Sequence, residues 1–161
     1  MSTHDEHTSS HICIRLYVES DREFLLMLAP RLAIGLAPWR KPQKMDAAAR
    51  RWIEEDIAGM GERSTVLIAE DAHGARLGFV TVGEQVHFTG DTQAYEGELV
   101  VAVEAEGRGA GRALMTAAEE WARAHGYGFV ALDTGAANGG ARAFYGRLGY
   151  REESIKLVKT L

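Results

Sequence analysis

Hydrophobic and polar positions alternate from His11 to Val18, with Ile12, Ile14, Leu16 and Val18 on one face, and this two-residue period predicts a strand. Asp21 then occupies an N-cap position ahead of Phe24-Leu25-Leu26-Met27-Leu28, the start of a helix. Pro30, Gly35 and Pro38 cut the next region into short pieces, and Trp39-Arg40-Lys41-Pro42 reads as a loop. Asp46 is the expected cap of a second helix, Ala47 to about Gly59, whose Ala49, Trp52, Ile53 and Ile57 recur at helical spacing. Val66 to Ala69 and Leu77 to Val82 read as strands joined through the turn Asp71-Ala72-His73-Gly74. A second turn spans Phe88 to Gln93, and a strand runs from Glu98 to Val103. From Gly109 to Ala124 a helical stripe carries Leu114, Ala117, Ala118, Trp121 and Ala122. Phe129 to Leu132 follows as a buried strand, Asn138 to Leu148 as a helix, and Tyr150 to Leu157 as a last strand.

The resulting order is β-α-α-β-β-β-α-β-α-β. Hairpins come first and crossover helices later, which predicts a mixed sheet in a single domain over residues 11–161. Residues 1–10 are polar, lack the apolar stretch of a signal peptide and read as a disordered tail. At 161 residues the chain can bury a substantial core. A net charge of −5 argues against general nucleic-acid binding, and no apolar run is long enough for a membrane span. A single cysteine, Cys13, cannot form an internal disulfide, which fits a reducing, cytoplasmic setting.

The candidate chemistry sits where the strand ending at Val103 gives way to a helix. Gly107, Gly109 and Gly111 allow a sharp turn and close backbone approach to a ligand. The helix that follows presents unpaired N–H groups and its positive dipole end, while Arg108 and Arg112 add charge. Such a turn is a phosphate cradle; without a ligand it is an ordinary glycine-rich connection.

Two stretches resemble the GNAT superfamily of N-acetyltransferases. The first, Glu106-Gly107-Arg108-Gly109-Ala110-Gly111, is similar to the family's Gln/Arg-x-x-Gly-x-Gly/Ala signature, with Glu106 where the family has Gln or Arg. The second, Asn138 to Tyr150, resembles its N-x-x-A-x-x-F/L-Y-x-x-x-G-F/Y pattern. The resemblance covers about Ile12 to Leu157. It implies the acyl-CoA N-acyltransferase fold, α/β (α+β), with a mixed, mostly antiparallel sheet of six to seven strands and about four helices.

It also implies acetyl-coenzyme A as co-substrate, with no metal, and an amine acceptor. Gly107, Arg108, Gly109, Ala110, Gly111 and Arg112 would hold the pyrophosphate. The backbone of Leu99, Val100 and Val101 would pair with the pantetheine arm where this strand splays from Phe129 to Asp133, and Asn138 would fix the cofactor and cap its helix. An ammonium of pKa near 10.4 must lose a proton before it attacks. Glu98 would be the base and Tyr145 the acid facing the departing sulfur. Trp39, Trp52, Tyr95, Glu84 and Glu98 are candidates to surround the amine. Two other readings remain: a silent, coenzyme A-responsive binding module of the same fold, and a dinucleotide site, whose third glycine would fall at Arg112. No nucleic-acid or membrane partner is expected, and homodimer assembly is an open expectation.

Overall fold

The structure, a computed structural model, describes residues 11–161; the tail expected at residues 1–10 lies outside the described residues. Five strands form one sheet in the order β1-β2-β3-β4-β5: β1 Cys13–Leu16, β2 Ser64–Glu70, β3 Arg76–Val86, β4 Thr92–Val101 and β5 Val130–Leu132. The first three pairings are antiparallel and β4–β5 is parallel. Four α-helices accompany them: α1 Arg22–Leu28, α2 Pro42–Ala58, α3 Ala110–Ala124 and α4 Gly139–Arg147. The mixed, mostly antiparallel sheet with four helices agrees with the expected fold class, at five strands instead of six or seven. None of these helices is long and apolar enough to cross a membrane.

Local chemistry explains the hairpins. The β2–β3 turn is held by Asp71, whose Oδ1 accepts from the His73 and Ala75 N–H groups at 2.9 and 3.0 Å. The β2 run from Thr65 to Ala69 and the β3 run from Leu77 to Val82 are buried at every position, so both faces of the sheet centre are covered. Phe79, Leu25, Ile53, Ile68, Leu114 and Met115 are fully buried there. Each such side chain contributes about 1.5–3 kcal/mol relative to exposure.

Asp21 is no helix cap in the usual sense, because its side chain makes no capping bond to α1. It is fully buried, accepts both Arg15 Nη groups at 2.7 and 2.9 Å, and binds Arg76 Nε at 2.6 Å and the Val18 N–H at 2.9 Å. Burial pushes its carboxyl up, but the bonds from Arg15, Val18 and Arg76 outweigh it and hold the group well below the ordinary range. This pins the end of β1 to β3.

Three expectations need correction. The second helix starts at Pro42, with Lys41 as its cap, so Asp46 lies inside α2 and pairs with Arg50 at 3.0 Å. Proline at the first helical position needs no N–H partner, and that signal outranked the aspartate. β5 is half-buried where a buried strand was expected. The final strand does not form: residues 151–161 adopt no regular structure and are all exposed.

Candidate active site

β4 departs from regular pairing at its centre, and the site follows from that departure. Its register against β3 passes from Val80↔Leu99 to Val82↔Glu96, so β4 spends one residue more than β3. This β-bulge places Gly97 against Thr81, where an added Cβ would lie 2.6 Å from the Thr81 Oγ1. Thr81 secures the bulge, accepting the Glu98 N–H at 3.0 Å and donating to Glu98 Oε2 at 2.9 Å. On its other side β4 pairs with β5 only over Ala94, Tyr95 and Glu96. Beyond Glu96 the two strands part, leaving Leu99, Val100 and Val101 without a β5 partner, as the resemblance implies.

At this fork two carboxyls are buried on one strand. Glu96 is 3% exposed, and its Oε2 accepts from the Tyr145 hydroxyl at 3.1 Å. Burial pushes the Glu96 carboxyl up to about 7, against the lowering pull of that hydroxyl. For Tyr145, burial, then the charge of Glu96 and the bond to it, raise the phenol above its ordinary 10, so it stays protonated. Glu98 is also raised, by burial first and then by the Asp56 carboxylate that is its hydrogen-bond partner; Thr81 opposes the shift.

A cavity of about 850 Å³ opens over these groups. Of the expected residues it gathers Tyr145, Glu98, Leu99 and Asn138, together with Trp52, Tyr95 and Glu84. Trp39 is exposed and lies away from it. Glu96, Asp56, Thr81 and Arg31 join the cavity without having been expected. Glu96 had one legible signal, a carboxylate two positions before Glu98 in a strand whose alternate residues share a face. The arginines on its wall are paired, Arg63 with Glu84 at 3.4 Å and Arg31 with Glu106. The Tyr95 hydroxyl donates to Asp133 at 2.6 Å.

The glycine-rich turn lies beside this cavity. Gly107 and Gly109 have φ of +72° and +89°, a region that side chains other than glycine rarely enter. Gly109 caps α3, and the N–H groups of Ala110, Gly111 and Arg112 donate to no described residue. A ring edge of Phe144 would lie 3.4 Å from a Cβ on Gly111, so α4 packs on this turn and carries Tyr145 next to it. The turn therefore fits an anionic group: free donors, a helix N-terminus and no side chain in the way. Arg108 leans on Asp71 at 3.6 Å, whereas Arg112 is exposed and without an ion-pair partner among the described residues. Asn138 uses both ends of its side chain. Its Oδ1 caps α4 by accepting from the Ala141 N–H at 3.1 Å, and its Nδ2 donates to the Ile34 carbonyl at 3.2 Å.

With this geometry in place, comparison with known proteins is informative. Residues 31–150 match the model of the acetyltransferase (GNAT) family. No curated protein sequence matches the chain. Among solved structures, a candidate acetyl transferase from Pyrococcus furiosus superposes with a TM-score of 0.75 at 20% identity, covering 94% of this chain and all of that one. An aminoglycoside N-acetyltransferase, AAC(6′)-Iy, solved in complex with CoA, gives 0.71 at 20% identity, over 94% and 95% of the two chains. Glucosamine-6-phosphate N-acetyltransferase from Arabidopsis thaliana gives 0.65 at 20%, over 93% and 98%. These likenesses establish a shared fold, and the names of the last two describe unlike acceptors.

Proposed function

This chain belongs to the acetyltransferase (GNAT) family, and from that premise we propose that it transfers the acetyl group of acetyl-coenzyme A to a primary amine by direct attack. The observation that carries this reading is the Glu96–Tyr145 hydrogen bond, set where β4 and β5 part and beside the glycine turn. The N–H groups of Ala110, Gly111 and Arg112 would hold the diphosphate, and the unpaired edge at Leu99 to Val101 the pantetheine arm.

In this scheme the base role, which the family resemblance implies for Glu98, falls to Glu96. Glu98 faces Thr81 and Asp56 and retains its proton through burial, whereas Glu96, held at about 7, exchanges a proton near neutrality. Glu96 takes a proton from the entering ammonium, and the neutral amine nitrogen attacks the thioester carbon. The carbon–sulfur bond breaks, and Tyr145 gives its proton to the departing thiolate. Tyr145 then recovers a proton from Glu96 along the bond that joins them. The second proton of the nitrogen leaves to solvent, so the amide, the thiol and one released proton balance the equation.

Asp56, Glu84, Glu96 and Asp133 line the cavity, and its arginines are already paired, which favours a cationic small-molecule or peptide amine as acceptor. The test is release of free thiol from acetyl-coenzyme A across a panel of amines of graded charge. Turnover rising with acceptor charge supports the reading. Tight coenzyme A binding with no turnover on any amine would favour the binding-module alternative and refute the catalytic one.

A further inference from the structure

Arg31 stands on the acceptor side of the cleft, yet its charge is used on the cofactor side. It belongs to the short helical turn Ala29–Ala33, and Arg31, Leu32 and Ile34 together form part of the cavity wall. Its guanidinium crosses 75 positions of sequence to pair with Glu106, the residue that opens the glycine turn. Three residues on, the same segment is held again. The Ile34 carbonyl accepts from Asn138 Nδ2 at 3.2 Å, and Asn138 Oδ1 caps α4, which carries Tyr145. Segment 31–34 is thus fastened to the cofactor turn at one end and to the helix of the proposed acid at the other.

The charges around the turn make this pairing selective. Arg108, the turn's own arginine, leans on Asp71 at 3.6 Å, and Arg112 has no ion-pair partner among the described residues. Glu106 pairs with neither of these near neighbours in sequence and takes its cation from the opposite wall. A guanidinium forks onto a carboxylate much as it does onto a phosphate. Glu106 therefore gives Arg31, in the cofactor-free protein, the kind of partner that a diphosphate would give it only in the loaded one.

We infer that Glu106 is a built-in substitute for the cofactor's phosphate, which through Arg31 holds the 31–34 wall of the acceptor cavity in place before the cofactor arrives. The inference rests on the glycine turn being the diphosphate site. Arg31 and Glu106 are positioning residues that act through the wall, so the acceptor cavity is already formed in the empty protein. With glutamine at 106, Arg31 has no anion until a diphosphate enters, and the order of the wall becomes dependent on the cofactor.

The test is amide exchange at Ile34 and Leu36, whose N–H groups bond the Arg31 and Ala33 carbonyls at 3.1 and 3.0 Å and report on this segment. Rates are compared at low salt, with and without saturating coenzyme A. In the unaltered chain they should change by less than about twofold when coenzyme A binds. In cofactor-free Glu106→Gln they should be about threefold to fivefold faster, as expected for a pair this exposed, and the difference should shrink near 1 M salt. Coenzyme A should return Glu106→Gln to the unaltered rate. Glu106→Arg, which sets like charges together, should exchange faster still, and Arg31→Glu/Glu106→Arg should recover the protection, a rescue that a change in packing alone does not give. Amides of α3, such as Leu114, should not respond in any variant, which separates a loosened wall from lost folding. Protection rising about fivefold or more when coenzyme A binds the unaltered chain would overturn the inference. So would cofactor-free Glu106→Gln exchanging at the unaltered rate, or a reversed pair no better than Glu106→Arg alone. An unaltered chain that binds no coenzyme A by calorimetry would remove the diphosphate site and the substitute role with it, while the cofactor-free comparison would still decide whether the pair holds the wall.

Discussion

Replacing Glu96 with glutamine should make the protein more stable while removing most of its activity. The carboxyl is 3% exposed, and burial moves its pKa from 4.5 to about 7. The folded state therefore holds this proton more tightly than the unfolded chain does. Below pH 4.5 the group is protonated in both states and costs nothing. Between about 4.5 and 7 the unfolded chain releases the proton first, so stability falls as pH rises, and above 7 the full penalty is present. At 1.36 kcal/mol per pH unit the difference amounts to about 3 kcal/mol, an upper figure because a buried site relaxes when it ionises. Glutamine keeps the shape, and its carbonyl can still accept from Tyr145. Removing the charge also relieves Glu98, which Glu96 pushes upward. Urea unfolding of both proteins at pH 4.5 and pH 8 tests this: the variant should gain about 2–3 kcal/mol at pH 8 and little at pH 4.5. A difference equal at the two pH values would show that Glu96 does not titrate in this window. Turnover on a responsive amine should fall by about a hundredfold or more, since the base is gone.

Tyr145→Phe should lower turnover by about tenfold to a thousandfold with coenzyme A affinity unchanged, and it should move the acid limb of the pH–rate profile upward, because Glu96 loses the hydroxyl that lowers its pKa. Gly109→Val forces a branched side chain to φ near +89° at a cost of about 1–2 kcal/mol and sets methyls in the cradle; calorimetry should show cofactor binding lost in a folded protein. Arg31→Ala unmasks the Glu106 charge beside the diphosphate. Repulsion of about 1 kcal/mol at roughly 7 Å and an effective dielectric of about 40 should weaken coenzyme A binding about threefold to tenfold at low salt. Near 1 M salt the effect should shrink, and Arg31→Ala/Glu106→Gln should restore affinity at low salt; a double variant as weak as Arg31→Ala would refute the pairing argument.

Elements built from local information were legible in the sequence. The hairpin at Asp71 to Gly74, the α3 stripe and the Asn138 cap rest on neighbours a few residues apart, and periodicity reports those directly. The bulge at Gly97 was not legible, because one inserted residue shows only against the facing strand. The Arg31–Glu106 pair spans 75 residues and leaves no local mark in the sequence. Tyr150 to Leu157 has strand-like residues, but a strand also needs a neighbour to bond with, and composition is silent on whether one is present.

The Ile34–Gly35 turn, which Asn138 holds by its carbonyl, has a consequence for engineering. Gly35, at φ +76°, stands so close to Asn138 that a Cβ would come within 2.3 Å of the asparagine Cβ, and a Cβ on Gly135 would lie 2.7 Å from the Gly35 carbonyl oxygen. Two loops a hundred positions apart in the chain thus form one seam across the cleft. The stretch around residues 29–41 is for that reason no interchangeable cassette. A graft meant to change the acceptor must carry the 134–138 loop with it, and libraries that randomise either side alone will be filled with clashes. Diversity should instead be placed at Met45, Trp52 and Gln85, which line the same cavity outside the seam.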